Sequence, residues 1–462
     1  MDIGYPELAV GDAYKSILLI DAALGHSSNL GWQVRLQLGM KLWYPGASDD
    51  QCFGQASINS LIGIIQPSAH TVIAKSLIYL QSYPECIAMC QLTMGKFPDW
   101  TFLVEHLTIA RERLETKRIL LDRLGITEKE KNQRMRLGIT LVRPYPWMPA
   151  RFLRREQALI DSLNEELETW GPKCKIQPSS FKPSIPSHIR GINTIPESMG
   201  MFATGLIRKG EQVFVDTTPA GFSLRNVSLF CGNCCDNLPL APVALECCAI
   251  SLFCSTKCRD LALAQYHSPM CGRDLNWVYI DFQSPPTEIP DFRPPIFLRL
   301  LAMCIQRGVH PLQHPTIARL VPAYTSIHPE GWSLHGNIYA PIMILEAFGI
   351  NIYTDLRFDT WVLQTMWWRF KNNASAEVTS EQPIITSNPF LSCVNHSCEP
   401  NVASRFGSGT TAGLEALREI REGEELFISY IPLDGMQKVD RRKNLAPYFG
   451  GPCSCTRCER EP

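Results

Sequence analysis

The stretch "NPFLSCVNHSCEPNVASRF" (residues 388–406) places a compact polar motif inside a strand-like segment. Asn395 and His396 end an apolar run, and Cys398 and Asn401 follow within five residues. One cysteine cannot complete a zinc site, because zinc takes four sulfur or imidazole donors in proteins. This segment must therefore meet ligands from another part of the chain if Cys398 binds metal.

The sequence "CSCTRC" near residue 458 offers the missing ligands. Cys453, Cys455 and Cys458 supply three thiolates at metal-binding spacing and leave one of four positions open. Cys398 is the obvious donor for that position. The two motifs together predict a zinc site that joins the C-terminal tail to residues 395–401.

Length and composition set wider bounds. The 462 residues allow two to four domains, and the hydrophobic content of 45% is ordinary for globular proteins. The formal net charge of −1 gives no electrostatic support for binding nucleic acid or an acidic membrane. No secretory signal and no apolar run long enough to span a bilayer are visible. We therefore expect an intracellular protein in the nucleus, the cytoplasm or both, whose 18 cysteines are metal ligands or buried side chains.

The pattern along the chain changes from helical to strand-rich. Residues 1–130 carry apolar side chains at helical spacing, and "AKSLIYLQSYPECIAMCQLTMGKFPDW" suits either one tetratricopeptide-like helix pair or an ordinary helical hairpin. Residues 131–184 read as a connector and a helix. Short strands follow from residue 185, interrupted by a cysteine-rich insert (231–271) and a helical insert (275–385). This order predicts an α+β fold rather than alternating βαβ units.

The cysteine-rich insert contains paired soft ligands separated by loops, which suits two tetrahedral zinc ions. Its sequences "FCSTKC" and "YHSPMC" resemble the MYND zinc module, which interleaves its ligands. The resemblance implies two ligand sets: Cys231, Cys234, Cys254 and Cys258 for one ion, and Cys247, Cys248, His267 and Cys271 for the other. Cys247 and Cys248 are adjacent, whereas the module separates these cysteines by two residues, so Cys235 or no residue in place of one of them stays open. A cysteine-rich core without metal is the other interpretation.

Four motifs in one order carry a wider resemblance: "MGMFATGLIRKGE" (199–211), the MYND-like text, "NHSCEPN" (395–401), and "EGEELFISY" (422–430) followed by the "CSCTRC" tail. Residues 185–462 resemble the lysine methyltransferases in which a MYND module interrupts a SET domain. The resemblance implies a β-rich SET domain over 185–430, a zinc-binding post-SET tail over 431–462, about three zinc ions, and S-adenosylmethionine as methyl donor.

The resemblance also implies roles for individual residues. The cofactor is expected against the backbone of Met199, Gly200 and Met201, since glycine permits close backbone approach to a ligand. Asn395 and His396 are expected to bind it through backbone and side-chain hydrogen bonds, with Ser392 beside them.

Three aromatic residues complete the implied site. Tyr430 matches the family's catalytic tyrosine and is expected to contact the cofactor as well. Tyr448 and Phe449 match the aromatics that line the lysine channel, and the resemblance implies a catalytic role for Tyr448 and cofactor binding for Phe449. Taken singly, Asn395 and Asn401 would also suit turns, and Tyr430 would suit the core side of a strand.

The sequence departs from the family pattern at two places. Ser198 replaces the first glycine of the usual Gly-x-Gly, and Gly451 stands where a channel aromatic is usual. We also expect the tryptophan-rich segment 355–375 to form part of the substrate wall, and Asn373 either to face the cofactor or to end an exposed helix.

Two functions from different classes follow. One is a protein-lysine methyltransferase that acts on a histone or another protein. The other is an inactive adaptor that binds proline-rich peptides through the MYND-like surface and a partner through the helical region. DNA binding by the insert is disfavoured, because neutralising phosphates needs a basic surface. The only Lys and Arg residues of the insert are Lys257 and Arg259, and they are outnumbered by its acidic residues, Asp236, Glu246 and Asp260.

Overall fold

The structure is a computed structural model that describes residues 4–23, 61–153, 157–179, 199–223, 229–248, 251–283, 291–320, 325–378, 383–407, 409–449 and 451–461. Two units are distinguished: one comprises 1–140, 285–289 and 330–339, and the other comprises 141–284, 290–329 and 340–462. Cys52 and the predicted departure at Ser198 lie outside the described residues. Within the described ranges, no helix combines the length and apolar character needed to cross a membrane.

The first unit is helical, as predicted. Its helices are α1 Pro6–Ala23, α2 Gln66–Tyr79, α3 Tyr83–Lys96, α4 Leu103–Asp122 and α5 Glu128–Arg136. The predicted helix pair corresponds to α2 and α3, and Ala74, Leu77, Cys86 and Cys90 are fully buried at helical spacing. Whether this pair is a tetratricopeptide-like repeat stays a prediction.

The strands are short and fall mostly in the second unit. Their bounds are β1 Gly138–Val142, β2 Cys174–Pro178, β3 Met199–Ala203, β4 Gln212–Thr217, β5 Gly221–Ser223, β6 Thr325–Trp332, β7 Ser375–Val378, β8 Pro383–Thr386, β9 Asn395–His396, β10 Val402–Phe406, β11 Thr411–Ala416 and β12 Phe427–Ile428. Antiparallel sheets have the orders β10-β11-β4, β5-β8-β7 and β2-β3, whereas β9 and β12 pair in parallel.

The remaining helices belong to the second unit: α6 Gln157–Trp170, α7 Thr256–Gln265, α8 His267–Met270, α9 Arg293–Arg307, α10 Pro315–Ala318, α11 Ala340–Ala347, α12 Thr360–Asn372, α13 Lys438–Phe449 and α14 Thr456–Arg460. Helices α7 and α8 lie in the cysteine-rich insert, and α9 to α12 form the predicted helical insert. The mixture of short strands and inserted helices confirms the α+β prediction.

One apolar core underlies the sheets of the second unit. Ile160, Leu163 and Leu167 lie on one face of α6, because residues three and four apart share a helix face. They pack in the same core as Met199 and Met201 of β3, and this core extends to residues 390–394 and to strand β11. The core therefore fixes β3 and the start of the segment 388–406.

The tryptophan-rich helix α12 does not form the expected substrate wall. Trp367 is 2% exposed and Trp368 is 5% exposed, so both rings are buried within their own unit. Phe297 of α9 and Phe370 have ring centroids 6.0 and 6.2 Å from that of Trp367. Burying such large side chains against one another is favourable, and the apolar stripe of α12 serves packing of the helical insert.

Candidate functional site

The segment 395–401 lies directly against the last strand, β12. Asn395 pairs with Phe427 and His396 with Ile428 in parallel register. Asn401 is 3% exposed and binds the opposing backbone twice: its Oδ1 accepts from the Phe427 N–H at 2.7 Å, and its Nδ2 donates to the Glu425 carbonyl at 2.8 Å. Asn401 is therefore a clamp for β12 rather than a simple turn residue.

Asn395 connects this pair of strands to β3. Its Nδ2 donates to the Met199 carbonyl at 3.0 Å and to Glu425 Oε1 at 2.8 Å. The Glu425 carboxylate also accepts from Ser179 Oγ at 2.8 Å. A Cβ added at Gly200 would lie 2.3 Å from Glu425 Oε1, so the space beside this glycine is already filled. Gly200 thus permits the close approach of Glu425, where the sequence predicts the approach of a ligand.

The carbonyl groups of β3 also have protein partners. The Met201 carbonyl accepts from Leu426 N at 2.7 Å, and the Ala203 carbonyl accepts from Gly423 N at 2.9 Å. The side chains of Met199 and Met201 are 4% and 0% exposed in the core. Any contact between β3 and a ligand would therefore use its backbone edge near Met199 and not these side chains.

Both ring nitrogens of His396 contact other groups of the protein. Its Nδ1 lies 3.0 Å from the backbone N of Tyr430, and its Nε2 lies 3.2 Å from Cys398 Sγ. The ring is 1% exposed, and burial lowers the pKa of His396 to about 4, so it is neutral at ordinary pH. Both ring nitrogens of His396 therefore have partners within the protein, and its backbone pairs with Ile428 of β12.

An aromatic group surrounds Tyr430. Its ring centroid lies 5.4 Å from His396, 5.7 Å from Tyr448 and 5.9 Å from Phe449. The Tyr430 hydroxyl donates to the Val394 carbonyl at 2.9 Å. Phe449 is 7% exposed but Tyr448 is 45% exposed, so the group opens to solvent on the Tyr448 side. Aromatic faces stabilise a cation, which is the chemistry that a sulfonium or an amine requires.

Ser392 and Asn373 make local contacts. Ser392 Oγ donates to the Asn388 carbonyl at 2.8 Å, and Asn373 Nδ2 donates to the Arg369 carbonyl at 2.7 Å at the end of α12. Gly451 is half-buried just before the tail cysteines. These contacts neither require nor prevent a ligand beside the two polar side chains.

Asp216 supports the segment that precedes Asn395. It is 3% exposed, and its Oδ2 accepts from the Phe390 and Leu391 N–H groups at 2.7 and 3.1 Å. Asn388 Nδ2 donates to the carbonyls of Asp216 and Thr410 at 3.1 and 3.0 Å. Burial raises the pKa of Asp216 to about 6, because a charged carboxylate loses solvation there. This support was missed from sequence, since one aspartate in a strand carries no distinctive pattern.

The three tail cysteines form one cluster with Cys398, as predicted from the need of zinc for a fourth ligand. The Sγ atoms of Cys398, Cys453, Cys455 and Cys458 all lie within 4.8 Å of one another, and those of Cys398 and Cys458 are 3.6 Å apart. Burial raises the pKa of the Cys398 thiol to about 12, so the thiolate forms only if a positive charge stabilises it. Four sulfur donors at these distances match the donor set that zinc prefers.

Three arginines contact the tail cluster or its backbone, and the sequence does not predict these contacts. Arg441 is 1% exposed, and its Nη1 donates to the Met436 carbonyl at 2.9 Å while its Nη2 pairs with Glu461. Arg457 Nη1 donates to the carbonyl of Cys398 at 3.0 Å. Arg442 donates to the carbonyls of Cys453 and Cys458, each at 3.3 Å. The run "DRRKN" therefore contributes two of its cations to the tail cluster.

The cysteine-rich insert forms two further clusters whose ligand atoms each lie within 4.8 Å: Cys231, Cys234, Cys254 and Cys258, and Cys247, Cys248, His267 and Cys271. In the second cluster, His267 Nε2 lies 3.2 Å from Cys247 Sγ and 3.6 Å from Cys248 Sγ. The adjacent cysteines thus both reach the cluster. Cys235 belongs to neither cluster. Its side chain is buried, and its backbone φ angle is 60°.

A protein-family model agrees with this architecture. The model described as "SET domain" matches residues 198–431, which is 234 of the 462 residues.

The chain belongs to the SET domain family.

Curated relatives match shorter segments. A "Histone-lysine N-methyltransferase SET5" of Yarrowia lipolytica is 49% identical over 81 residues, covering 17% of this chain and 18% of that protein. A "Histone-lysine N-methyltransferase SMYD3" of Mus musculus is 41% identical over 73 residues, covering 16% and 17%. A "SET domain and MYND-type zinc finger protein 6" of Schizosaccharomyces pombe is 32% identical over 119 residues, covering 25% and 24%.

These names confirm the predicted resemblance to proteins that combine SET and MYND domains. The matched segments span between 17% and 24% of the lengths of these three relatives. As a SET domain protein, the chain places the family motifs of β3, β9 and β12 side by side.

Proposed function

We propose that this SET domain protein is an S-adenosylmethionine-dependent protein-lysine N-methyltransferase. The observation that carries the proposal is that Tyr430 lies beside His396 and Phe449, with ring centroids 5.4 and 5.9 Å away, although the three residues are separated along the sequence. Two relatives that are named histone-lysine N-methyltransferases support the same activity.

The residues present fit S-adenosylmethionine. The polar edge formed by the Asn395 side chain and the His396 backbone would hold the polar parts of the cofactor, and the rings of Tyr430 and Phe449 would lie near its positive sulfur. When bound, the cofactor supplies an electrophilic methyl group. The role assigned to the backbone near Met199 in holding the cofactor is part of the same proposal.

The chain's own groups would orient the lysine. The Tyr430 hydroxyl lies beside the Val394 carbonyl, so the two oxygens form a polar pair that can orient an amine. Tyr448 and Phe449 provide an apolar wall for the lysine stem, and the half-exposed Tyr448 marks the side from which a peptide enters. Excluding water from this wall favours transfer to the amine over loss of the methyl group to water.

We assign zinc to the three ligand clusters. Each contains four sulfur or imidazole donors within 4.8 Å, which is the donor chemistry of structural zinc sites. Zinc at the tail cluster would fasten residues 453–458 to the segment 395–401. Zinc in the insert would stabilise two small motifs that have little apolar core of their own.

Protein lysines are the proposed substrates, and histones are the first ones to test, because two of the relatives are named histone-lysine methyltransferases. Binding of proline-rich peptides by the insert, weak interaction with nucleic acid and residence in the nucleus or cytoplasm stay predictions.

A methyl-transfer assay tests the proposal. The full chain is incubated with labelled S-adenosylmethionine and histones or a protein library, and cofactor binding is measured by calorimetry. We expect transfer to lysine, which Tyr430→Phe reduces far more than it reduces cofactor affinity. Tyr79→Phe is the matched control, because Tyr79 lies in the first unit and is 69% exposed. A wild-type chain that neither binds the cofactor nor transfers label would contradict the proposal and favour the adaptor.

A further inference from the structure

We infer that His396 is a positioning residue that links the tail zinc cluster to the backbone of Tyr430. The inference rests on the proposed function for its catalytic consequence, but the link itself is a property of the folded chain. It assigns the His396 ring a task other than cofactor binding and makes the position of Tyr430 depend on the metal occupancy of the tail.

The two contacts of the ring determine its tautomer. A backbone N–H can only donate, so His396 Nδ1, 3.0 Å from Tyr430 N, must be the acceptor. The proton of the neutral ring is therefore on Nε2, which lies 3.2 Å from Cys398 Sγ. The Nε2–H group then donates to the sulfur. A doubly protonated ring would place two donors against each other at Tyr430, so this geometry requires a neutral imidazole.

Metal binding strengthens the second contact. A thiol is a weak acceptor, whereas a thiolate accepts a charge-assisted hydrogen bond that is shorter and stronger. When zinc binds the tail cluster, Cys398 becomes a thiolate and holds the Nε2–H group more firmly. The ring is 1% exposed, so it has no water to replace either partner. Because the imidazole ring is rigid, holding Nε2 against Cys398 also fixes the position of Nδ1. Nδ1 in turn holds the Tyr430 N–H group from which it accepts a hydrogen bond.

The position of the Tyr430 backbone also affects the position of the Tyr430 hydroxyl. Tyr430 follows β12 by two residues, and its hydroxyl donates to the Val394 carbonyl at 2.9 Å. His396 pairs with Ile428 in the parallel strands, so both ends of the link are anchored in the same backbone layer. Displacement of the Tyr430 backbone moves its hydroxyl relative to the opening, and small errors of position are costly for methyl transfer.

The first test uses the unaltered, zinc-loaded chain. Nitrogen NMR of protein labelled with ¹⁵N-histidine distinguishes a protonated ring nitrogen from an unprotonated one. We expect His396 to show a protonated Nε2 and an unprotonated Nδ1, with its signals assigned by comparison with a His396 variant. A ring protonated on Nδ1, or on both nitrogens near neutral pH, would overturn the inference.

The second test separates the two hydrogen bonds with a pair of variants. His396→Asn places an amide oxygen near the Nδ1 position and keeps an acceptor for Tyr430, but it removes the donor to Cys398. His396→Gln places an amide nitrogen near the Nε2 position and keeps that donor, but it removes the acceptor. His335→Asn and His335→Gln are matched controls, because His335 is exposed and belongs to the first unit.

Cobalt substitution gives a readout that is independent of methyl transfer. A hydrogen bond to a metal thiolate shifts the sulfur-to-cobalt absorption bands, so His396→Asn should change the spectrum and His396→Gln should preserve it. His396→Asn should also weaken metal binding at one of the three clusters by about 10- to 100-fold, the usual effect of removing a hydrogen bond to a ligand. His396→Gln should lower kcat with little change in KM for the cofactor.

The outcomes divide clearly. Spectra and metal affinities that are unchanged in both His396 variants, or altered equally in both, would overturn the link and leave His396 as a packing residue. If either variant fails to fold, the NMR measurement on the unaltered chain decides. Absence of methyl transfer by the wild type would contradict the proposed function, whereas the tautomer and the cobalt spectra test the link separately.

Discussion

Removal of the Arg441 charge is expected to weaken zinc binding at the tail cluster. Arg441→Met keeps most of the side-chain volume but removes the guanidinium, which is 1% exposed and has its Nη2 3.9 Å from Cys458 Sγ. Zn²⁺ with four thiolates carries a net double negative charge. Arg441, Arg442 and Arg457 with Glu461 supply the compensating double positive charge, so the variant leaves one negative charge uncompensated.

The magnitude follows from the contacts that are lost. The hydrogen bond from Nη1 to the Met436 carbonyl involves a charged donor and is worth about 1.5–3 kcal/mol. Glu461 stays paired with Arg457 after this change, so the loss of its second, solvent-accessible partner adds little. If the zinc-bound tail loses this bond, the loss of about 1.5–3 kcal/mol corresponds to a factor of about 10 to 150 in zinc affinity.

Zinc release into a competing chelator measures this effect on the full chain. We expect one of the zinc ions to leave Arg441→Met at a lower chelator concentration than it leaves the wild type. Arg460→Met is the matched control, because Arg460 lies on the same tail but forms a pair with Glu399 in which both side chains are more than 60% exposed. Release that is identical in the wild type and Arg441→Met, or equally altered in Arg460→Met, would refute the charge argument.

Three further predictions concern other parts of the site. Cys398→Ser should release one zinc ion of about three, measured by elemental analysis, and unchanged stoichiometry would remove Cys398 from the tail cluster. Gly200→Ala should weaken cofactor binding in calorimetry, because the new Cβ displaces the Glu425 carboxylate, whereas Gly205→Ala, which meets nothing within 4 Å, should not. The raised pKa of Asp216, about 6 against 3.8, means that its contribution to stability is complete below pH 3.8 and is lost as the pH rises through 6. The unfolding temperature of the wild type should therefore fall, relative to that of Asp216→Asn, between about pH 4 and about pH 6, and a constant difference would contradict the assignment.

The sequence predicted the metal clusters well, because ligand chemistry limits the alternatives. Three thiolates in "CSCTRC" lack a fourth donor, and Cys398 was the obvious cysteine beside a family motif. The resemblance to the MYND module grouped the eight ligands of the insert, and the structure places the adjacent Cys247 and Cys248 in one cluster. The helical first unit was also predictable, since its apolar spacing is long and regular.

The supporting residues were not predictable, because their roles depend on distant partners. Glu425, Asp216 and Arg441 are common residue types without distinctive spacing, and each becomes informative only through the backbone or carboxylate that it contacts. The direction of the His396 ring was missed for a related reason. Its neighbours in sequence suggested a ligand contact, whereas the parallel pairing with β12 turns the ring toward Cys398. The tryptophans of α12 were misassigned because apolar spacing does not say which surface covers a helix.

The clamp made by Asn401 has a consequence for synthesis on the ribosome. Strand β3 needs residues 423–426 for its backbone partners, and residues 395–401 need β12 and the cysteines up to Cys458. The second unit of a nascent chain therefore cannot complete these contacts until nearly all of the chain has been translated, whereas the helices of the first unit depend far more on local contacts. A chain released early should expose the apolar faces of β3 and β11 and become a substrate for chaperones and proteases.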